Sequence, residues 1–237
     1  MGLAPASSGL VYRPAGERFH SQLDWLDSWH SFSFSSHHDP AWMGFGPLRV
    51  INDDVIAAGR GFGMHPHRDV EIITVMVEGE LQHRDSLGHT ELLRAGEVQQ
   101  MSAGTGVIHS EVNEGDQACR LLQIWIEPSS HGIAPAYGQK SYAIGSGWTA
   151  LIDPDQQAGA MAIQRPVRLW RAQPAAGDSL ALALAPGSKG WIQLIRGNGQ
   201  ADGQGLQQGD GLGFTAGSLS CFGAGAGGAD LLLFELR

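Results

Sequence analysis

The stretch GFGMHPHRDVEIITVMVEGELQHRDSLGH, residues 61–89, joins two closely spaced histidines to an apolar run. The run VEIITVMVEG is rich in β-branched residues and ends at glycine, which is typical of a buried strand. LLQIWIEP, LALALAP, GWIQLIRG and ADLLLFEL share this character, and FHSQLDWLDSW is the best candidate for a short helical turn. The chain is therefore predicted to be all-β, with strands spaced as in a jelly-roll β-barrel.

A weak internal repeat divides these strands between two similar units. VEGELQ aligns with IRGNGQ, so that Gly79 matches Gly197. The downstream segments AGEVQQMSAG and QGDGLGFTAG then match as well, because Gly96 and Gly104 are separated by the same number of residues as Gly209 and Gly217. We predict two tandem copies of one β-barrel unit, residues 1–135 and 136–237, connected by the Pro/Gly/Ser-rich stretch at residues 127–147.

Composition narrows the class of protein. The 237 residues carry 15 basic and 24 acidic side chains, a net charge of −9 without a basic run, which disfavours direct nucleic-acid binding. No apolar run approaches the ~20 residues that cross a bilayer. The N-terminus does not match a secretory signal and is a poor match to a myristoylation site. The distant Cys119 and Cys221 predict reduced thiols. We therefore expect a cytoplasmic protein that does not bind membranes.

Two pairs of polar residues carry the chemistry. His65 and His67 are two residues apart, so in a strand their side chains lie on one face. His109 and Glu111 repeat this spacing in MSAGTGVIHSEVN. The first pair alone would more often be a solvated hairpin pair, but two such pairs on neighbouring strands would bring three imidazoles and a carboxylate together. That ligand set suits a divalent first-row transition metal.

The repeat provides an internal control for this metal site. The glycine offsets place Ala183 and Ala185 at the positions of the first histidine pair, and Phe222 and Ala224 at the positions of the second pair. In addition, all 10 histidines lie at or before His131. We therefore predict that the N-terminal barrel holds the metal and that the C-terminal barrel is degenerate, with an interior filled by apolar side chains.

Several long motifs together resemble the pirin family of bicupins. These motifs are WLDSWHSFSF, FGPLRVINDD, GFGMHPHRDVEI, EGELQHRDSLGH, GEVQQMSAGTGVIHSEVN and LQIWIEP. The resemblance is strong over residues 19–137 and looser elsewhere. It implies that His65, His67, His109 and Glu111 bind one divalent metal, and we expect Glu111 also to accept the substrate's proton. Iron is the expected metal, with nickel, copper, manganese, cobalt and zinc as alternatives.

The carboxylate ligand has an alternative. The general cupin pattern G-x5-H-x-H-x3-E fits this chain from Gly59 to Glu71, which would make Glu71 the ligand. We follow the pirin pattern and choose Glu111, and we consider Glu71 a candidate partner that orients an imidazole. His83 and His89 flank the turn RDSLG and are predicted to be exposed loop residues. The aromatic side chains of WLDSWHSFSF are predicted to pack in the core or between the barrels.

The resemblance also implies an activity. Bacterial proteins similar to this chain over both barrels are described as quercetin 2,3-dioxygenases, which open a flavonol with O2 and release carbon monoxide. We therefore expect a monomeric dioxygenase whose substrate is a flavonol or a related chelating enol. The alternatives are a metal-dependent regulatory or redox-sensing protein that binds a partner protein, and a small-molecule binding barrel with an adventitious metal.

Overall fold

The computed structural model describes residues 9–237, so the expectations about an N-terminal signal rest partly on residues outside the described range. Within it the chain forms three short 3-10 helices, Ala15–Glu17, Pro40–Trp42 and Gln157–Gly159. None of the helices in this range is long and apolar enough to cross a membrane. The strands, in chain order, are β1 Val11–Arg13, β2 Phe19–Gln22, β3 Leu26–His30, β4 Leu48–Ile56, β5 Gly61–His67, β6 Glu71–Glu78, β7 Glu80–Asp85, β8 Thr90–Arg94, β9 Glu97–Ser102, β10 Val107–Val112, β11 Cys119–Ile126, β12 Ala136–Ser141, β13 Thr149–Ile152, β14 Val167–Ala172, β15 Ser179–Ala181, β16 Lys189–Ala201, β17 Gln204–Gln207, β18 Gly211–Thr215 and β19 Cys221–Leu236.

The strands form two antiparallel barrels. In the N-terminal barrel a seven-stranded sheet, ordered β12-β9-β6-β11-β4-β3-β2, faces a four-stranded sheet, ordered β5-β10-β7-β8. The C-terminal barrel is one sheet, ordered β1-β18-β16-β19-β14-β13, with β15 paired to β19 and β17 paired to β16. This architecture confirms the predicted all-β fold of two tandem cupin-type units.

The glycines that define the repeat adopt the same backbone conformation in both barrels. Gly79 has φ +71° and Gly197 has φ +76°, values that favour glycine over residues with a side chain. The next pair is also left-handed, with φ +86° at Gly96 and +88° at Gly209. A Cβ on Gly197 would lie only 2.2 Å from the carbonyl oxygen of Gly228. The repeat therefore reflects glycines at equivalent left-handed backbone positions in the two units.

Each barrel includes one strand from the other side of the predicted boundary at residues 135 and 136. β1 pairs with β18 in the C-terminal sheet, and β12 pairs with β9 in the N-terminal sheet. The stretch 127–147 therefore contains a strand in addition to a connection. The division at residues 135 and 136 remains a prediction, and these pairings favour assigning β12 to the N-terminal barrel.

A shared apolar core joins the two barrels. It includes Phe32 and Phe45 from the N-terminal part and Trp191 and Phe234 from the C-terminal sheet. The ring centroids of Phe32 and Trp191 are 5.0 Å apart, and those of Phe45 and Trp191 are 5.5 Å apart. The barrels thus bury one face against each other, and Phe32 has the packing role predicted for the aromatic cluster.

The helical turn predicted in FHSQLDWLDSW is wrong, because this segment forms strands β2 and β3. On β3, Leu26, Ser28 and His30 are all buried on one face. Ser28 and His30 line a cavity inside the N-terminal barrel. Since polar residues occupy inward positions here, the apolar alternation that marks an ordinary strand is missing from the sequence.

Candidate metal centre

Strands β5 and β10 bring three histidines together. His65 lies directly opposite His109 in the antiparallel ladder, and His67 lies two residues further along the same face. The ring centroids are 4.4 Å apart for His65 and His109, 4.9 Å for His67 and His109, and 4.8 Å for His65 and His67. One ring nitrogen from each histidine lies within 4.8 Å of the others. This is the convergence that the i, i+2 spacing predicts.

The rings of these histidines are suited to bind a cation. His65 Nδ1–H donates to the Gly63 carbonyl at 2.7 Å, which leaves Nε2 free as a ligand atom. His109 is buried, and neither of its ring nitrogens has a hydrogen-bond partner in residues 9–237. Burial lowers the pKa of His109 to about 3 and that of His67 to about 4, so both rings are neutral at pH 7. A buried neutral imidazole without a partner fits a metal ion, which would satisfy its lone pair.

Glu111 lies beside this group and is held by the seven-stranded sheet. Glu111 is two residues from His109 on β10, so its side chain shares the inward face of that strand and is buried. Gln123 Nε2 donates to Oε2 at 2.8 Å, and Thr74 Oγ1 donates to Oε1 at 3.3 Å. Burial raises the pKa of Glu111. A Glu111 oxygen lies within 4.8 Å of ligand atoms of His83 and His109, but the set formed with His65 and His67 does not include it.

His83 is a buried neighbour of the site, and its predicted location in an exposed loop is wrong. It lies on β7 with 1% of its surface exposed, and its ring centroid is 5.3 Å from that of His109. Its Nε2 lies 3.1 Å from Asp85 Oδ2, while Nδ1 has no partner among the described residues. Leu81, His83 and Asp85 alternate along β7 and point inward, an orientation that is revealed by the pairing of β7 with β10. His89 remains partly exposed and bonds Asp85 at 2.9 Å.

Glu71 occupies a different environment from the one predicted. Its Oε2 accepts hydrogen bonds from Ser102 Oγ at 2.6 Å and from Gln100 Nε2 at 2.8 Å. It makes no hydrogen bond to a histidine within the described part of the chain, and it does not line the cavity. The proposed orienting role of Glu71 is therefore wrong, since Gln100 and Ser102 hold its carboxylate instead.

The histidines open onto a cavity of about 430 Å³ inside the N-terminal barrel. Part of its wall is aromatic and aliphatic, and the ring of Trp125 is nearly perpendicular to that of His67 with the ring centroids 5.0 Å apart. Two members of the aromatic cluster predicted to be core, Trp25 and Phe34, line this cavity instead. The remaining wall is polar and comes mainly from β3, β4 and β11. A volume of this size accommodates a small organic molecule.

The C-terminal barrel is apolar at the equivalent position. Leu180 lies opposite Phe222, as His65 lies opposite His109, and Leu182 follows two residues later. All three side chains pack in the apolar core of this barrel. The glycine offsets that selected Ala183 and Ala185 are therefore wrong by three residues, although the replacement of the metal-binding residue types by apolar ones holds.

Comparison with known proteins extends these observations over both barrels. The Pirin family model matches residues 13–126, and the model of the quercetinase C-terminal cupin domain matches residues 150–236. Quercetin 2,3-dioxygenase of Escherichia coli K12 is 43% identical over 205 residues, which cover 86% of this chain and 89% of that protein. A pirin-like protein of Caulobacter vibrioides is 40% identical over 193 residues, 80% of this chain and 83% of that protein.

Solved structures agree with the sequence relatives. The crystal structure of the bacterial pirin YhhW from Escherichia coli in complex with nickel(II) has a TM-score of 0.92 and 41% identity, covering 96% of this chain and 99% of that chain. Quercetin 2,3-dioxygenase of Acinetobacter baumannii shares the fold, with a TM-score of 0.79 at 19% identity over 98% of this chain and 80% of that one. The similarity in sequence and structure extends through both barrels, and the chain belongs to the pirin family.

Proposed function

We propose that this pirin is a metal-dependent dioxygenase that opens flavonols or related chelating enols, with His65, His67, His109 and Glu111 as the metal ligands. The observation that carries the proposal is the group of three converging imidazoles, one of them buried without a partner, on the wall of an organic-sized cavity. The relative named quercetin 2,3-dioxygenase, at 43% identity, supports flavonols as the substrate class. Carbon monoxide release is part of the same proposal.

The metal is proposed to be a single divalent first-row ion. Three imidazole nitrogens and one carboxylate are compatible with iron and with nickel, and the related YhhW structure contains nickel(II). When bound, the ion would acidify a chelating hydroxyl of the substrate and so prepare the substrate for oxidation by O2. Iron remains our prediction for this chain.

The residues of the chain position the substrate and receive its proton. The carboxylate of Glu111 lies within 4.8 Å of a ring nitrogen of His109 and lines the cavity, so we assign to it the hydroxyl proton of the enol. Gln123 and Thr74 fix the orientation of this carboxylate. Trp25, Phe62 and Trp125 offer flat apolar surfaces that would pack against a planar ring and exclude water.

The test is to load the protein with each candidate metal and to measure metal content, O2 uptake and carbon monoxide with quercetin. We expect stoichiometric metal, and coupled consumption of quercetin and O2. His109→Ala should lose both metal and turnover, whereas His131→Ala, an exposed histidine away from the cavity, should keep both. Full metal loading without turnover of any enol would contradict the proposal. It would leave the regulatory alternative, to be tested by metal-dependent retention of a partner protein.

A further inference from the structure

The cavity contains a second group of polar side chains that the proposed reaction does not use. Ser28 on β3 and Asn52 and Asp54 on β4 all line the cavity and are all buried. These three residues, which we call the β3–β4 patch, lie on the seven-stranded sheet, whereas the histidines lie on the four-stranded sheet. A ligand that fills the cavity would therefore meet the histidines on one sheet and this patch on the other.

Neighbouring side chains fix the orientation of the patch. Ser28 lies opposite Asp54 in the ladder, and its hydroxyl donates to Asp54 Oδ1. His30 Nδ1 lies 2.8 Å from Asn52 Oδ1, so this nitrogen carries the proton and donates it to the amide oxygen. His30 Nε2 then accepts from Ser21 Oγ at 2.9 Å. Asn52 and Asp54 are thus each held through the Oδ1 atom, which is one of the two polar atoms of each side chain.

The other polar atom of each residue is free. Neither Asp54 Oδ2 nor Asn52 Nδ2 has a hydrogen-bond partner in residues 9–237, although both side chains line the cavity. An acceptor and a donor are therefore available within two residues of each other on one strand face. A hydroxyl group can donate to the first atom and accept from the second, which an apolar group cannot do.

We propose that Asn52 and Asp54 form a subsite for a phenolic hydroxyl of an aromatic ligand whose chelating end lies at the histidines. The inference rests on the proposed function and narrows its substrate class from enols in general to polyhydroxylated aromatic compounds. The aromatic side chains of Trp25 and Phe34 supply the apolar surface that such a ligand needs beside its polar ends. A ligand without the remote hydroxyl would bury both free atoms unpaired, so the subsite discriminates against it.

The test compares two flavonols that share the chelating hydroxyl and carbonyl. Quercetin carries further hydroxyls on its outer rings, and 3-hydroxyflavone carries none. Binding is measured by calorimetry on metal-free and metal-loaded protein, and turnover is measured separately. We expect the unmodified protein to bind quercetin at least about tenfold more tightly than 3-hydroxyflavone.

The decisive variant is Ser28→Ala combined with Asp54→Leu, because it removes both partners of the internal hydrogen bond and leaves neither unpaired. We expect it to lose about tenfold in quercetin affinity and to change the affinity for 3-hydroxyflavone by less than about twofold. Asp54→Asn serves as a milder second variant, with a smaller loss in the same direction. Glu71→Gln, which alters a buried carboxylate outside the cavity, is the matched control and should keep the preference.

Two results would overturn the subsite. One is equal affinity of the unmodified protein for both flavonols, and the other is an equal loss for both in the double variant. Failure of the proposed function has a different signature, namely no turnover of either flavonol by metal-loaded protein. Calorimetry on metal-free protein measures the preference for quercetin over 3-hydroxyflavone whether or not the metal-loaded protein turns over either compound.

Discussion

The side chains proposed as metal ligands differ in how firmly the protein holds them. The ring of His65 is fixed by a hydrogen bond to Gly63, and the carboxylate of Glu111 is fixed by Gln123 and Thr74. The ring of His109 has no such partner among the described residues, although it is buried. A bound ion would therefore supply the partner that a ring nitrogen of His109 lacks.

The two buried glutamates give the first prediction at this scale. Glu111→Gln should lower metal affinity by about tenfold or more, because the neutral amide is a poorer ligand than a carboxylate. Glu71→Gln should leave the affinity unchanged, since Ser102 and Gln100 hold Glu71 away from the cavity. Competition with a chelator followed by metal analysis measures both. Loss of metal in the Glu71 variant alone would move the ligand role to Glu71.

The second residue-scale prediction concerns pH. Burial raises the pKa of Asp54 to about 7 from 3.8, and the charges of Asp53 and Glu111 act in the same direction, against the hydrogen bond from Ser28. The folded protein therefore binds this proton more tightly than the unfolded chain does. The free energy of unfolding should fall as pH rises from about 4 to about 7, and Asp54→Asn should reduce that fall.

Urea denaturation of metal-free protein at pH 5 and pH 8 measures the effect. Glu71 and Glu111 also have raised pKa values, so the variant should reduce the pH dependence without abolishing it. Equal pH dependence in the variant and the unmodified protein would show that Asp54 is not protonated in the folded state near pH 5.

Sequence spacing identified the histidines but missed the polar residues around them. The sequence alone could predict His65, His67 and His109 as ligands, because the i, i+2 pattern of metal-binding residue types is distinctive. His83 and Asp54 occupy strand positions where an apolar residue is expected, and nothing in a single sequence separates an inward polar residue from one facing solvent. Only the register of the neighbouring strands reveals that both point inward.

At the scale of the elements, most strands with apolar runs were predictable and the irregular ones were not. The predicted strand LALALAP is an exception, because only its first two residues, Leu180 and Ala181, lie in a strand, β15. β6 and β11 are almost wholly buried and read as continuous apolar runs. β3 was missed because two of its inward residues are polar, and β12 because its sequence AYGQKS has neither alternation nor an apolar run. The position of β12 is determined by pairing with β9, which depends on tertiary contacts.

The repeat glycines allow a prediction about two positions with a left-handed backbone. Gly197 and Gly217 both have positive φ, +76° and +83°, but only at Gly197 would a Cβ clash, with the Gly228 carbonyl oxygen at 2.2 Å. Gly217→Ala should cost about 1–2 kcal/mol for the left-handed backbone alone. Gly197→Ala should cost clearly more, because the backbone of the adjacent strand must move. Denaturant midpoints of the two variants measure the difference, and equal costs would contradict the steric argument.

At the scale of the whole molecule, the two barrels depend on one interface. Trp191 is fully buried there against Phe32 and Phe45. Trp191→Ala should destabilise the protein by about 3–5 kcal/mol, the usual cost of removing a large buried aromatic side chain. In the unmodified protein we expect far-UV and near-UV circular dichroism to report one coincident unfolding transition. Two separate transitions would show that the barrels are energetically independent.

Tandem organisation was predictable from the glycine repeat, but the exchange of strands was not. β1 and β12 are short segments at the borders of the units, and their partners β18 and β9 are chosen by packing in three dimensions. Periodicity describes which face of a strand is apolar, and it does not state which sheet the strand will join.

The pairing of β1 with β18 has a consequence for protein synthesis. β1 leaves the ribosome before the strands of the N-terminal barrel, yet its partner β18, Gly211–Thr215, is translated near the end of the described chain. The N-terminal barrel can assemble once β12 has emerged, but the backbone amides of β1 have no hydrogen-bond partners until β18 has been synthesised. A prematurely terminated polypeptide would expose the unpaired backbone of β1 to chaperones and proteases. Completion of the C-terminal barrel is therefore a condition for pairing and burying the first strand.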